Sequence, residues 1–446
     1  MKKSFLVGFN ILLYATLFNI LPFKPLLAKG FSEFIFIAIL WLTEAIPISI
    51  TALLVPLCAA VTGILPLKQA LSSFSTPVIF LFLAGFALAA CLKKQELDLL
   101  LADKVILFAK GKLFNAIFLI FLFAAFMSMW MSNTATVAVM TPLALSLIKR
   151  STKTPSTKVY VFTLLGLAYS SSTGGIATLV GSPPNAIVAH EMNLSFMDWI
   201  WYGLPASVCL LPLVIGILWL CIKPDLNQTF DFTPQQFEFT RSRQLTVFIA
   251  LSTIALWIFS KPISTFLGGI KNIDVVIALF SIGMMGIFRV VGWKDIEKEV
   301  EWGVLLLFGG GLGLSAVLKV TGVSDYIAHS VSTYLVGTTH WVVFTAVALL
   351  VVFLTTLSSN TASAAILIPI FAPASQAMGV NPMIMAAMIG VAASCAFMLP
   401  ISTPPNAIVY ATGKVPMNSM MSYGLIISLS CIIILLLLAE FIWRFI

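Results

Sequence analysis

Long apolar segments recur along the whole chain, and they restrict its fold more than any other feature. Examples are 203-GLPASVCLLPLVIGILWLCI-222 and 422-SYGLIISLSCIIILLLLAEFIW-443. Each is long enough to cross a hydrocarbon core of ~30 Å as a helix. Charged residues make up only 9% of the 446 residues, whereas soluble domains carry about 25%. The sequence therefore predicts an all-α polytopic membrane protein without a separate soluble domain.

The apolar segments predict eleven transmembrane helices and two re-entrant hairpins. The helices are expected near residues 5–23, 31–46, 47–64, 77–93, 158–182, 198–222, 244–260, 273–290, 302–320, 382–400 and 420–443. The segments 113–149 and 339–379 do not fit simple crossings, because a polar Ser-Asn-Thr triplet interrupts each in its middle. Each can form two short helices that meet at a polar tip. Amphipathic segments at 95–110 and 323–336 are expected to be interfacial arms that connect the hairpins to the preceding spans.

The two triplets belong to a larger internal repeat. The first lies in 131-MSNTATVAVMTPLAL-145 and the second, 227 positions later, in 358-SSNTASAAILIPIFA-372. Upstream, 84-AGFALAACLK-93 matches 310-GGLGLSAVLK-319 at a spacing of 226 positions. Downstream, 181-GSPPNAIV-188 matches 402-STPPNAIV-409 at a spacing of 221 positions. Three landmarks therefore recur in the same order at nearly one spacing.

The repeat predicts the domain organisation. Residues 1–30 form an N-terminal span outside the repeat, 31–223 form repeat 1, 224–243 form a cytoplasmic linker and 244–446 form repeat 2. Scaffold spans are expected at 31–112 and 244–338, and the hairpins with transport-domain spans at 113–223 and 339–446. Each repeat holds five full spans and one hairpin, and this odd number of spans inverts the second copy, as in secondary transporters. The two hairpin tips then meet near mid-membrane.

The basic residues predict the orientation. If the N-terminus is cytoplasmic, 18 of the 25 Lys and Arg residues face the cytoplasm and 7 face outward. This bias obeys the positive-inside rule. We expect a multi-pass protein of the bacterial inner membrane whose C-terminus is outside. The formal net charge of +8 is then explained by basic cytoplasmic loops rather than by nucleic-acid binding.

Ser, Asn and Thr at a helix break can bind small ions. Broken helices expose amide groups that attract anions and carbonyls that attract cations, while Ser and Thr add hydroxyls and Asn adds a donor and an acceptor. Pro183-Pro184 and Pro404-Pro405 break helices in the same regions. A single triplet is more often a hydrogen-bonding contact between membrane helices. Triplet and break together, in two inverted repeats, favour a binding site.

These motifs, together with 41-WLTEAIPISITALLVP-56 and 302-WGVLLLFGGGLGLSAVLK-319, resemble the divalent anion/sodium symporter family of sodium-coupled dicarboxylate transporters. The resemblance covers nearly the whole chain. It implies a homodimer in the lipid bilayer, in which a scaffold supports a mobile transport domain that carries both hairpins. It also implies elevator-type alternating access with sodium as the coupling ion, at two sites or more.

The resemblance further implies which residues bind. Sodium site 1 corresponds to Ser128, Ser132, Asn133 and Gly181. Sodium site 2 corresponds to Thr355, Ser359, Asn360 and Ser402. The substrate contacts correspond to Ser132, Asn133, Thr134, Ser182, Ser359, Asn360, Thr361, Thr403 and Pro404. The family often has Ala where this chain has Ser402, and a contact through the backbone carbonyl tolerates that difference.

The expected site contains no Lys or Arg, so bound cations and helix N-termini must balance a dianion there. This favours sodium symport over exchange. Importing a dianion against an inside-negative potential costs ~4.6 kcal/mol per 100 mV, at ~2.3 kcal/mol per charge. Two sodium ions cancel that cost, and a third, which the resemblance implies but no motif locates, makes uptake favourable. Succinate, fumarate and malate are the expected substrates, and sulfate and citrate remain alternatives.

Three other functions compete with this prediction. A sodium-independent dicarboxylate exchanger could use the same fold, and counterflow without sodium would identify it. A channel would need a continuous pore, whereas opposed hairpins suit alternating access. A membrane enzyme is disfavoured because the sequence contains no HExxH motif, no Ser/His/Asp set and no intramembrane pair of carboxylates.

Overall fold

The computed structural model describes residues 2–151, 155–230, 238–335 and 339–446. Within these ranges the regular structure is helical, apart from isolated antiparallel bridges that join Lys112 to Thr229 and Ser151 to Phe230. The predicted all-α fold is confirmed. Residues 231–237 of the predicted linker at 224–243, and Lys153 among the basic loop residues, lie outside the described ranges.

The helices of the first half follow the predicted segments closely. They are α1 (Lys2–Ile20), α2 (Pro25–Thr43), α3 (Ile48–Val61), α4 (Leu67–Ser72), α5 (Pro77–Lys94), α6 (Leu97–Leu107), α7 (Leu113–Ser128), α8 (Asn133–Lys149), α9 (Thr157–Gly174), α10 (Pro183–Glu191) and α11 (Phe196–Ile222). The expected arm at 95–110 corresponds to α6, which packs on α7.

The second half ends with seven helices that repeat the order of the last seven helices of the first half. It contains α12 (Arg241–Ile258), α13 (Ser260–Phe266), α14 (Ile273–Ile287), α15 (Trp293–Glu299), α16 (Trp302–Thr321), α17 (Val323–Leu335), α18 (His340–Leu357), α19 (Asn360–Ala377), α20 (Pro382–Ala393), α21 (Pro404–Ala411) and α22 (Met417–Phe441). The arm expected at 323–336 corresponds to α17, which packs on α19; its last residue, 336, lies outside the described ranges.

The described residues include seven helical segments long and apolar enough to cross a membrane. An eighth results if α12 and α13, which meet at an angle of 74°, are counted as one span. The helices α3, α7, α14 and α20 are apolar but shorter. The protein is therefore a multi-pass membrane protein, while the number of eleven full spans stays a prediction.

Two predicted spans end earlier than the hydropathy indicates. In the segment 158–182 the helix ends at Gly174, and α10 begins only at Pro183. In the segment 382–400 the helix ends at Ala393, and α21 begins at Pro404. Proline lacks an N–H and suits the first position of a helix. The Pro-Pro pairs therefore start new helices after stretches of irregular backbone, here called break 1 (175–182) and break 2 (394–403).

Two sets of helix contacts can be distinguished, and the sets meet where α16 packs on α19. The helices that follow the arms pack on one another across the repeats, through the pairs α11 with α22, α8 with α21, and α10 with α19 and α20. The earlier helices form the other group, through α3 with α16, α5 with α14, and α12 with α14. The first group is called the hairpin group (α7–α11 and α18–α22) and the second the scaffold group (α2–α5 and α12–α16).

A cavity lined by both hairpins and both breaks

The tip of the first hairpin, between α7 and α8, is built by hydrogen bonds of its own polar residues. Ser132 caps α8, and its Oγ accepts a hydrogen bond from the amide of Ala135 at 3.2 Å. The Ser128 hydroxyl donates to Oδ1 of Asn133. Ser171 of α9 donates to the Asn133 carbonyl at 3.1 Å. Serine at the N-cap satisfies a free amide of the helix, so the triplet both ends the turn and presents its polar groups.

The second hairpin repeats this arrangement between α18 and α19. Ser359 caps α19 and accepts from the amide of Ala362 at 3.1 Å. The Thr355 hydroxyl lies 2.9 Å from Oδ1 of Asn360 and 2.7 Å from the carbonyl of Ala393. In both repeats, therefore, the hydroxyl five residues before the asparagine contacts its side-chain oxygen.

An asparagine that follows each Pro-Pro pair holds the adjacent break. The Asn185 amide donates to the carbonyls of Gly175, Ile176 and Thr178 at 3.0, 3.3 and 2.7 Å. The Asn406 amide donates to the carbonyls of Ala396 and Leu399 at 3.0 and 3.1 Å. Both side chains are fully buried. Carbonyls that no helix uses are thereby satisfied inside the protein.

The two tips and the two breaks surround one cavity of about 160 Å³. All nine predicted substrate contacts line it: Ser132, Asn133, Thr134, Ser182, Ser359, Asn360, Thr361, Thr403 and Pro404. Of the predicted sodium ligands, Gly181 and Ser402 also line it, together with the Ser and Asn residues of the triplets. The remaining two, Ser128 and Thr355, are fully buried behind the tips, in contact with Asn133 and Asn360.

Two glycines bring oxygen atoms together beside the first tip. A Cβ built on Gly175 would lie 2.4 Å from Oδ1 of Asn133 and 2.7 Å from the carbonyl oxygen of Gly181. A Cβ built on Gly181 would lie 2.8 Å from the carbonyl oxygen of Ser128. Only glycine fits at these positions without displacing the oxygens. Amide and carbonyl oxygens are hard ligands of the kind that hard cations take, so the predicted sodium ligands Ser128, Asn133 and Gly181 do converge.

The residues of the predicted sodium site 2 also come from a tip and a break, but no such glycine pair lies beside them among the described residues. The Ser402 hydroxyl donates to the carbonyl of Thr356 at 2.8 Å, which joins break 2 to the end of α18. Among the described residues no group of three His, Cys, Asp or Glu residues could hold a metal ion. The oxygens at both predicted sites are neutral, which is compatible with a monovalent cation.

Sequence reasoning missed several residues of this region. Gly175 carries no motif of its own, and only its approach to Asn133 shows its place in the site. Ser394 of break 2 shares a hydrogen bond with Ser182 of break 1 at 3.2 Å, which joins the two repeats. Glu301 lies immediately before α16 and lines the cavity. None of these residues stands in a repeated motif, so no sequence signal points to them.

Comparison with known proteins places the chain in a family. A family model described as citrate transporter matches residues 38–390. A sodium-dependent dicarboxylate transporter of Staphylococcus saprophyticus is 32% identical over 91% of this chain and 84% of its own length. The chain belongs to the citrate transporter family. It is thus a transporter and not an enzyme, and its predicted resemblance to sodium-coupled dicarboxylate transporters is confirmed.

Other relatives agree with this membership. An uncharacterized transporter of Haemophilus influenzae is 46% identical to this family member over 99% of the chain and 97% of its own length. Among solved structures, the YdaH transporter of Alcanivorax borkumensis matches with a TM-score of 0.60 and 16% identity, covering 84% of this chain and 88% of that one. The MtrF structure of Neisseria gonorrhoeae matches with a TM-score of 0.52. At 16% identity, both structural matches show a shared fold alone.

Proposed function

We propose that this transporter couples the uptake of a four-carbon dicarboxylate, such as succinate, fumarate or malate, to sodium. The observation that carries the proposal is the small cavity at which two equivalent polar tips meet. Each tip offers hydroxyl and amide donors to one carboxylate, and a short carbon chain joins the two carboxylates of the substrate. Named relatives of the chain are sodium-dependent dicarboxylate transporters, which supports this assignment.

The charges at the site favour sodium coupling over exchange. Neither Lys nor Arg occurs among the described residues that line the cavity. A dianion there would need positive charge, because an unpaired charge is costly to bury. One sodium ion at Ser128, Ser132, Asn133 and Gly181, and a second at Thr355, Ser359, Asn360 and Ser402, would supply it. Helix N-termini of α8 and α19 add partial positive charge.

We further propose that the hairpin group makes an elevator-type movement in a homodimer of the inner membrane, and the packing within the hairpin group supports the movement. Polar contacts join the two repeats inside this group, for example from the Tyr169 hydroxyl to the Phe397 carbonyl at 2.6 Å. Each sodium site combines a tip with a break, so separating the tips from the breaks would destroy both sites. Moving the whole group against the scaffold group keeps every ligand in place.

Uptake by proteoliposomes tests the proposal. We expect an inward sodium gradient to drive accumulation of radiolabelled succinate, and potassium not to replace sodium. An inside-negative potential should accelerate uptake if three sodium ions accompany each dianion, because net positive charge then enters. Succinate counterflow that persists without sodium would instead identify an exchanger.

A further inference from the structure

The wall that the scaffold group contributes to the cavity is apolar except for one residue. Ile48 of α3, Phe82 and Phe86 of α5, and Val304 and Leu307 of α16 face the cavity beside Glu301. Among the described lining residues, Glu301 alone carries a formal charge. The cavity therefore has two different sides. One side carries the hydroxyls and amides of the tips and breaks, and the other is an apolar wall with one carboxylate.

Glu301 faces the cavity in which we propose that the substrate binds. It occupies the N-cap position of α16 and interacts with the hydroxyl of Ser132, a predicted substrate contact on the first tip. The nearby acidic residues Asp295 and Glu299 instead pair with Lys94 and Lys93, at 2.5 and 2.6 Å. No comparable ion pair to Glu301 occurs among the described residues.

The cavity offers hydrogen-bond donors to two substrate carboxylates but not to a third. Two carboxylates of a substrate can take the donors of the two tips. A third would face apolar side chains that offer no hydrogen bonds, so its desolvation would go uncompensated. It would also approach the Glu301 carboxylate, and like charges repel strongly where little water screens them. The cavity volume of about 160 Å³ is also small beside the ~300–1,000 Å³ of ordinary ligand pockets.

We propose that Glu301 is a specificity-determining residue that selects dicarboxylates against tricarboxylates such as citrate. The inference rests on the proposed function, because it needs two carboxylates bound at the two tips. Unfavourable placement of charge against a competitor is a general route to specificity. It distinguishes this chain within a family whose name refers to citrate.

Competition binding with the purified full chain tests the role of Glu301. Radiolabelled succinate at saturating sodium is displaced by unlabelled succinate or citrate, in alkaline buffer where citrate carries three charges. In Glu301→Gln we expect the affinity for citrate relative to succinate to rise about tenfold, which corresponds to ~1.4 kcal/mol. Glu301→Ala should give the same direction, and it covers the case in which the glutamine variant does not fold. The control Glu297→Gln removes an exposed charge from the same segment and should keep the wild-type ratio.

The outcomes separate this inference from the proposed function. An unchanged citrate-to-succinate ratio in both Glu301 variants, with succinate binding intact, overturns the inference and leaves the proposed function standing. A loss of sodium affinity without a change in the ratio also overturns it, because Glu301 would then serve a cation. If the wild-type chain does not bind succinate in a sodium-dependent way, the proposed function fails, and the inference fails with it.

Discussion

At the scale of single residues, the two halves of the site use the same side-chain chemistry. Asn133 and Asn360 each follow the serine that caps their helix. The Oδ1 atom of each accepts a hydrogen bond from the hydroxyl five residues earlier. The side-chain oxygen of each asparagine is thereby oriented toward the base of its tip. The amide on the same side chain remains available as a donor. Cation and anion can therefore share one residue.

The first prediction concerns these asparagines. Replacement of Asn133 or Asn360 by Ala removes a proposed oxygen ligand and one hydrogen-bond acceptor of the buried hydroxyl five residues earlier, at about 1–3 kcal/mol. Each variant should show a lower apparent sodium affinity in succinate uptake by proteoliposomes. Asn19→Ala on the exposed face of α1 is the matched control. Wild-type sodium dependence in both site variants would refute the assignment of the sodium sites.

The second prediction concerns the threonines of the triplets. Thr134 and Thr361 line the cavity, and we expect each hydroxyl to donate to one substrate carboxylate. Thr→Val keeps the shape but removes the donor, so succinate affinity should fall more than sodium affinity in either variant. Equilibrium binding of both ligands measures this, with Thr16→Val on α1 as control. A change in sodium affinity alone would assign these hydroxyls to the cation sites.

At the scale of elements, the broken helices create the site. Break 1 follows fourteen consecutive buried residues of α9, from Val161 to Gly174. Its carbonyls still have hydrogen-bond partners in these apolar surroundings, because the Asn185 amide donates to three of them. Non-helical backbone inside a membrane is tolerated only where protein or a cavity satisfies it. The break can thus place Gly175 and Gly181 against the first tip.

The third prediction uses this close approach. A methyl group at Gly175 would lie 2.4 Å from Oδ1 of Asn133, so Gly175→Ala must displace the tip from the break. Overpacking of this kind costs typically about 1–3 kcal/mol, and we expect the sodium-induced rise in melting temperature to shrink or vanish. Gly216→Ala in α11, where nothing lies within 4 Å of the added atom, should preserve the response. An undiminished response in Gly175→Ala would show that sodium binds elsewhere.

At the scale of the whole molecule, two ion pairs join the hairpin group to the scaffold group. Glu191 at the end of α10 pairs with Lys319 of α16 at 2.7 Å, and Asp198 of α11 pairs with Lys261 of α13 at 2.5 Å. Both lysines belong to the side predicted to face outward. A partly exposed pair such as Asp198 with Lys261 contributes about 0–1 kcal/mol, whereas the Glu191 side chain of the other pair is almost fully buried. Both pairs can hold the hairpin group in one position while still allowing it to leave.

The fourth prediction concerns relative movement of the two groups. Cysteines at Glu191 and Lys319, on a background without the six native cysteines, are joined by a short bifunctional thiol reagent. Crosslinking should abolish transport but leave succinate binding intact, because the site itself is not altered. Cysteines at Lys93 and Glu299, which form a pair within the scaffold group at 2.6 Å, are the control and should permit transport. Full transport with the first crosslink formed would exclude a moving hairpin group.

The sequence by itself determined the local elements of this protein, because their causes are local. Apolar runs predict the helices, Ser132 and Ser359 cap the helices that they precede, and the Pro-Pro pairs start new ones. The resemblance of these motifs to the divalent anion/sodium symporter family implied nine substrate contacts, and all nine line one cavity.

Only the tertiary structure decided which distant residues meet. Gly175 approaches Asn133, and Glu301 faces Ser132, because separate helices pack on each other, and no periodicity or motif encodes those neighbours. The early ends of α9 and α20 were likewise not predicted, since most residues of both breaks are apolar or small and continue the preceding apolar segments. Asn185 and Asn406 stabilise these breaks through contacts that exist only once the chain has folded, when the free carbonyls need partners inside the protein.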